Sequence, residues 1–460
     1  MKIKFLGAAR TVTGSRTVCS HGNYKFMVDC GLFQGPKVIR DRNWNPVADA
    51  GTINSIILTH AHIDHSGYIP RLIKDGFKGP VYCTPATRDL CRVLLLDAAH
   101  LSEEDALFAN QTGYSNHRPA LPLFTTADAK RALDRFEPIE REKWIKLNGE
   151  LSFRFLRSGH ILGSSFVQVN CEVSGNGSKS ILFSGDLGNG RSLILKPPVT
   201  GLECDALVLE STYGNRAHTR VTPELALAPI INRIVARRGV LVIPAFSVGR
   251  TQEVLFLLRK LEESGSIPKV PVYVDSPMAN HATEIFMNHP EDHLPFFQDG
   301  HYKTLLNPSA FSAVGTAQES IVLTMKDGPM IVVSAAGMLS GGRVMHHLKR
   351  RLPDERNAVL FVGYQAVETK GRLLQDGIRE LRIHHQNIPV RAEILSLDGL
   401  SAHADANDLV DWVGGLRKTP SRIFLNHGDN GGPEALAHAL EKRFGVGAEI
   451  PNQEQEYVLW

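Results

Sequence analysis

The stretch Leu58 to Gly67, LTHAHIDHSG, sets three histidines and an aspartate within six consecutive positions, directly behind the apolar run Ile56-Ile57-Leu58. Few local structures satisfy that pattern. The apolar run reads as a buried strand and the residues after the cluster read as helix, so the ligand types fall in a strand–loop–helix turn. In such a turn His60 and His62 point one way, while Asp64 and His65 point another. A single structural zinc takes four ligands in a closed tetrahedron, usually from two ligand pairs set well apart in sequence. Four ligand types this close instead predict half of a dinuclear metal site, with the rest of the chain supplying the other half.

The rest of the chain is long enough to do so. At 460 residues it exceeds one ordinary core and predicts two domains. Its first two hundred residues read as short strands, among them KIKFL, YKFMVDC, SIILT, LSFRFL, SFVQVNCEV, SILFSGD and ALVLES, each bounded by Gly, Pro, Asn or Ser. Beyond Tyr213 the rhythm changes to strand–helix alternation. GVLVIP precedes GRTQEVLFLLRKLEES, where Val254, Leu257, Leu258 and Leu261 recur at helical spacing. Such alternation predicts a parallel sheet covered by helices. From about Val390 single strands return, with RAEILSL, RIFLNHGD and a last helix, PEALAHALEKRF. With no long linker or repeat, the pattern predicts one domain inserted into another.

Composition narrows the class. A formal charge of +3 announces no nucleic-acid partner by bulk charge, so any basic surface must be local. The N-terminus, MKIKFLGAARTVTGSR, has no uninterrupted apolar core of a signal peptide, and no apolar run approaches the roughly 20 residues of a membrane span. Six scattered cysteines, without a CxxC pair, predict reduced thiols in a cytoplasmic protein and argue against cysteine ligation of metal.

Four further stretches place a ligand type just past an apolar run, in a small-residue turn: MVDCG with Asp29, RSGHILGSS with His160, LFSGDLGNG with Asp186 and FLNHGDNGG with His427. Each alone is an ordinary turn. Together with HxHxDH in one chain they predict a metal centre. Imidazole and carboxylate donors suit zinc, with manganese as a substitute. Two such ions about 3.5–4 Å apart share a hydroxide, lower its pKa and clamp a phosphoryl-transfer transition state.

These motifs resemble the metallo-β-lactamase fold, and more narrowly its β-CASP branch of nucleic-acid nucleases. The resemblance runs nearly end to end, through FLGAARTVTGS, LTHAHIDHSG, SGHILGS, SGDLGN, LESTYG, IPAFSVGRTQE, DSPMA, SAAGMLSGGR, GYQAVETKGR, LSAHAD and NHGD. It implies an α/β chain: an αββα sandwich, residues 1–214 and 395–460, with an inserted β-CASP domain, residues 215–394, built on a parallel sheet flanked by helices. It also implies that His60, His62 and His160 hold one zinc, that Asp64, His65 and His427 hold a second, that Asp186 bridges them, and that Asp29 fixes the histidine loop. The branch markers fall on Glu210, His403 and His427. His403 then becomes the general acid for the leaving oxygen, with Glu210 orienting it and raising its pKa. Two positions depart from the family pattern, Glu368 where glycine is common and Asp429 where glutamate is usual.

The substrate implied is RNA, cut by a hydroxide activated between two metals, most simply inside the strand. Ser334 to Arg343 joins a buried strand to a helix expected to begin near Gly341, a turn suited to phosphate through Ser334, Gly341, Gly342 and Arg343. Lys370 and Arg372 follow the next strand end and extend that path. Thirteen of the 19 histidines lie outside the motifs and read as surface or core residues, with His346 closest to the glycine turn. Competing readings are a DNA repair nuclease of the same family, a thioester or lactam hydrolase on the same fold, and a non-catalytic RNA-binding subunit. The filled ligand positions oppose the last of these. A homodimer or an accessory RNA-binding protein stays open as a partner.

Overall fold

The structure, a computed structural model, describes every residue except 114, 116, 174, 176, 219–221, 298–301, 367 and 398, and describes 302 and 303 in main chain alone. The chain folds as two compact units. The first holds Met1–Gly190, Pro197–Ala217 and His403–Trp460; the second holds Arg191–Lys196 and His218–Ala402.

Two seven-stranded sheets face each other in the first unit. One runs Glu456–Val458, Lys2–Phe5, Thr17–His21, Tyr24–Val28, Ser55–Ile57, Val81–Cys83, Phe136–Pro138. The other runs Ala448–Glu449, Arg422–Asn426, Ala206–Glu210, Gly177–Phe183, Ser165–Val173, Leu151–Arg157, Ile145–Lys146. Alternation along each strand sorts the side chains between layers. In Ala206–Glu210, Val208 joins Ile3, Phe5, Phe26, Phe153, Val167, Ile181 and Phe424 in the core between the sheets. Its neighbours Leu207 and Leu209 face the opposite way, into a second core closed by Leu409, Val410 and Trp412 of the helix Ala406–Gly414 and by Leu436 and Leu440 of the helix Gly432–Phe444. Two sheets with helices outside make the αββα sandwich.

The second unit is built on six parallel strands in the order Phe311–Ala313, Val272–Val274, Met330–Ser334, Val240–Pro244, Ala358–Phe361, Glu393–Ser396. Its central strands VLVIP and MIVVS are buried at all five positions. That is the expected reading of strands covered on both faces. The units part at 217/218 and 402/403, where the sequence reading puts 214/215 and 394/395. The later return has a physical reason: RAEILSL supplies Glu393–Ser396, which pairs with Ala358–Phe361 and completes the parallel sheet. Among the described residues no helix is long and apolar enough to cross a membrane.

Candidate metal centre

The buried strand Ser55–Ile57 runs into a loop and then the short helix Ile63–Ser66, with His62 as its N-cap residue. This turn splits the ligand types into two sets. His60 Nε2 lies 3.2 Å from His62 Nδ1, and His160 Nε2 lies 3.3 Å from the same atom. Both also face Asp186 Oδ2, at 3.4 Å from His60 and 3.3 Å from His160. On the other side His65 Nε2 sits 3.2 Å from His427 Nε2 and 3.3 Å from Asp186 Oδ1. Asp64 Oδ2 completes this set, 3.4 Å from His427 Nε2 and 4.0 Å from His65 Nε2. Asp186 therefore turns one oxygen to each set.

Spacing and chemistry both fit metal ions. Ligands at roughly 2.0–2.1 Å from a tetrahedral zinc are separated from one another by about 3.3–3.4 Å. The His60–His62, His62–His160, His60–Asp186 and His160–Asp186 donor pairs lie 3.2–3.4 Å apart, near that separation. Facing imidazole nitrogens cannot all satisfy one another, since a neutral ring has only one donor. Buried Asp186 Oδ1 and His160 Nδ1 have no hydrogen-bond partner, an omission costing about 1–3 kcal/mol each without a further partner. Six buried cysteines are all unpaired, and none joins the ligand-type clusters.

Electrostatics prepare the donors for a cation. Burial pushes His60 and His160 down and brings His62 to about 3, which leaves these rings neutral with lone pairs available. Burial pushes the Asp64 and Asp186 carboxyls up, but surrounding histidines more than reverse this and hold both below the ordinary carboxylate range. His65 moves the other way: burial lowers it, yet the carboxylates of Asp186 and Asp29 raise it well above its usual value. Anionic oxygens here draw positive charge, which a bound metal supplies.

Asp29 holds this arrangement from behind. Its Oδ1 accepts the Thr59 N–H at 2.8 Å and the Thr59 hydroxyl at 2.9 Å, while Oδ2 lies 2.6 Å from His65 Nδ1. Bonding Nδ1 leaves Nε2 for the centre, a common arrangement for ligating histidines. Asp29 (φ +59°) and His427 (φ +51°) both take the left-handed conformation that is uncommon outside glycine. Gly31, beside Asp29, has no room for more: a Cβ there would lie 1.6 Å from the Asp64 carbonyl oxygen.

Beside the centre lies a third cluster. Glu210, fully buried at the end of Ala206–Glu210, accepts the Leu187 N–H at 2.5 Å, and its Oε2 lies 3.1 Å from His403 Nδ1. His403 Nε2 is 3.9 Å from Asp186 Oδ2, and its ring packs 4.4 Å from that of His160. Ala404 donates its N–H to Leu187 at 2.8 Å, which anchors the His403 loop to the Asp186 loop. Burial opposes protonation of His403, but Glu210 and then Asp186 outweigh it and hold its pKa up at about 9. Thr59, Thr212 and Tyr213 carry no motif signal as supports; Thr212 Oγ1 lies 3.2 Å from His427 Nδ1, and the Tyr213 ring stands edge-on to His403.

The expected RNA-contacting residues all lie in the second unit. Ser334 ends the strand Met330–Ser334 and donates its hydroxyl to the Asp275 carbonyl. The following helix is Val344–Arg351, so it starts three residues beyond Gly341. Gly342 (φ +78°) still belongs to the turn, which leaves Gly341 and Gly342 in the loop before the helix. Arg343 spends its guanidinium inside the unit, donating to Asp275 Oδ1 at 2.9 Å and to the Gly315 carbonyl at 2.9 Å. His347, read from sequence as ordinary, is fully buried, with Nε2 2.7 Å from Asp275 Oδ2. Exposed His346 stacks near His384 instead. Lys370 opens the helix Lys370–Gln375, and Arg372 pairs with Asp376 at 2.9 Å. Glu368 takes φ +67° in the preceding loop, and half-buried Asp429 is pushed up by its burial.

Comparison with known proteins agrees along the length of the chain. Residues 17–262 match the metallo-beta-lactamase superfamily, 251–374 a Beta-Casp domain, and 387–451 a Zn-dependent metallo-hydrolase RNA specificity domain. The chain is 34% identical to Ribonuclease TTHA0252 of Thermus thermophilus, over 98% of this chain and 100% of that one. It is 31% identical to the transcription termination factor FttA of Methanosarcina mazei, over 97% of this chain and 70% of the relative. An RNase J-like protein of Methanocaldococcus jannaschii is 30% identical over 98% and 97%. A crystal structure of a protein of unknown function from Enterococcus faecalis V583 shares the fold, with a TM-score of 0.56 at 14% identity, covering 100% of this chain and 99% of that one.

Proposed function

Because this chain belongs to the β-CASP family of the metallo-β-lactamase superfamily, and is thereby a metal-dependent hydrolase, we propose that it is a zinc ribonuclease that cuts RNA internally at a two-metal centre. One observation carries the dinuclear reading: the two oxygens of Asp186 each face a separate set of donors. In this reading His60, His62, His160 and Asp186 hold one zinc, and Asp64, His65, His427 and Asp186 hold the other. Bound there, the pair supplies a water acidic enough to attack at neutral pH and positive charge for the phosphoryl oxygens. Asp29 fixes the His65 tautomer, so that Nε2 keeps its lone pair for metal. His403 carries a proton on Nε2 for the departing oxygen, while Glu210 holds Nδ1–H and orients the ring.

The second unit, about residues 218–402, is in this reading the inserted β-CASP domain and part of the RNA path. The six unpaired cysteines support a cytoplasmic location. Since Arg343 is committed to buried Asp275, whereas the Arg372–Asp376 pair is solvent-exposed and weak, we assign the screened phosphate contacts to Lys370 and Arg372. RNA affinity should then fall with salt at a slope of about −0.7 per phosphate contacted. In the double variant Lys370→Ala/Arg372→Ala that slope flattens while metal content stays; an unchanged slope moves the path elsewhere.

A 5′-labelled RNA and a DNA of matched sequence, each with and without chelator, test the whole reading. Internal RNA fragments that vanish with chelator support it. Equal cutting of DNA favours a DNA repair nuclease, and no cutting of either polymer favours a small-molecule hydrolase on this fold.

A further inference from the structure

In the parallel sheet of the second unit, two adjacent strands send their connections in opposite directions. From Val240–Pro244 the chain moves to Val272–Val274 on one side, and from the adjacent Ala358–Phe361 it moves to Glu393–Ser396 on the other. Right-handed crossovers send these two connections to opposite faces of the sheet. The carboxyl ends of such strands are the usual ligand position in open parallel sheets. Phe246 stands there, two residues past Pro244, and it is 43% exposed.

Single exposed apolar side chains are common and need no explanation. What sets Phe246 apart is its setting. A Cβ on Gly337 would lie 3.2 Å from Phe246 Cδ2, and one on Gly363 3.9 Å from Cε2, so bare main chain from two neighbouring strand ends meets the ring edge. Those strand ends are clamped together by buried Gln365, whose Nε2 donates to the carbonyls of Gly337 at 3.0 Å and Gly363 at 3.2 Å. Phe246 itself is pinned through its carbonyl, which accepts both the N–H and the hydroxyl of Thr251, at 3.2 and 2.9 Å. Ala245 donates its N–H to the Ser334 carbonyl at 3.1 Å, which ties in the third strand end. The main chain around the ring is thus fixed by hydrogen bonds, while the residue stays 43% exposed.

We infer that Phe246 is a stacking platform for one unpaired nucleobase of the substrate, set at the carboxyl edge of the second unit's sheet. This rests on the ribonuclease reading and adds a subsite to it. A part-exposed aromatic on fixed main chain suits a base because every base offers a π face, whatever its sequence, and an ordered backbone leaves less entropy to be lost.

The test measures kcat/KM on a set of labelled oligoribonucleotides, each with one abasic nucleotide at a successive position. The wild-type enzyme should lose about 5- to 150-fold when the missing base is the stacked one. Phe246→Ala should show the same loss on intact RNA and no further loss at that abasic position, with metal content unchanged. Phe246→Tyr should keep the wild-type profile, whereas Phe246→Leu, equally apolar, should behave as alanine. An abasic profile in Phe246→Ala identical to the wild type, or full activity in Phe246→Leu, overturns the inference alone. A wild-type enzyme that cuts no RNA overturns the ribonuclease reading and this subsite with it.

Discussion

Replacing Asp186 with alanine is expected to strip metal from both halves of the centre and to cut RNA hydrolysis by more than the ~10²–10⁴-fold typical of losing one acid–base group. The reason is geometric. Asp186 Oδ2 is within 3.4 Å of His60 and His160, and Oδ1 is 3.3 Å from His65, so a single substitution removes a donor from each set. The remaining donors are His60, His62 and His160 on one side and Asp64, His65 and His427 on the other, with no shared anion between them. Wild-type protein should retain two ions per chain by elemental analysis after dialysis, and Asp186→Ala fewer than one. His427→Ala should retain one, because it removes a donor from only one set. One ion in the wild type, unchanged in Asp186→Ala, contradicts a shared carboxylate.

His403→Ala should keep both metals and RNA binding while losing roughly 10²–10⁴-fold in rate, the usual worth of a positioned acid. His403 does not belong to either donor set. Its Nδ1 is engaged by Glu210 at 3.1 Å, and its Nε2 lies 3.9 Å from Asp186, beside the centre. A substrate with sulfur in place of the leaving oxygen separates this role from ligation, since a thiolate departs without a proton. On that substrate His403→Ala should recover much of its lost rate, and His427→Ala should not. Glu210→Gln should fall between them, since it keeps a hydrogen-bond partner for Nδ1 but removes its charge. Equal impairment of His403→Ala on both substrates, or loss of zinc, makes His403 a ligand or a structural residue.

The family and the αββα architecture were legible because they depend on patterns that are local in sequence. His60 to His65 crowds behind one apolar run, and the strand periods before Tyr213 differ visibly from the alternation after it. The structure also brings His160, Asp186 and His427 to that cluster from turns that are individually unremarkable, each following a buried strand of the same sandwich. What stayed hidden depends on tertiary partners. Arg343 reads as a free cation in a glycine turn, but Asp275, 68 residues earlier, claims its guanidinium. His347 and His346 are neighbours in sequence, yet one is buried against Asp275 and the other exposed. RAEILSL looked like the start of the returning segment because a lone strand does not announce which sheet it completes. Phe246 lies inside a quoted motif, and nothing in IPAFSVGR reveals that its ring is left open by glycines from two other strands.

Zinc titration into metal-stripped protein, followed by cleavage of a 5′-labelled RNA after each addition, addresses the two-metal ribonuclease most directly. Cleavage should stay low through the first equivalent per chain, rise through the second and level off at two, with internal fragments and no comparable cutting of matched DNA. Full activity at one equivalent, or cleavage that persists without any metal, would contradict it.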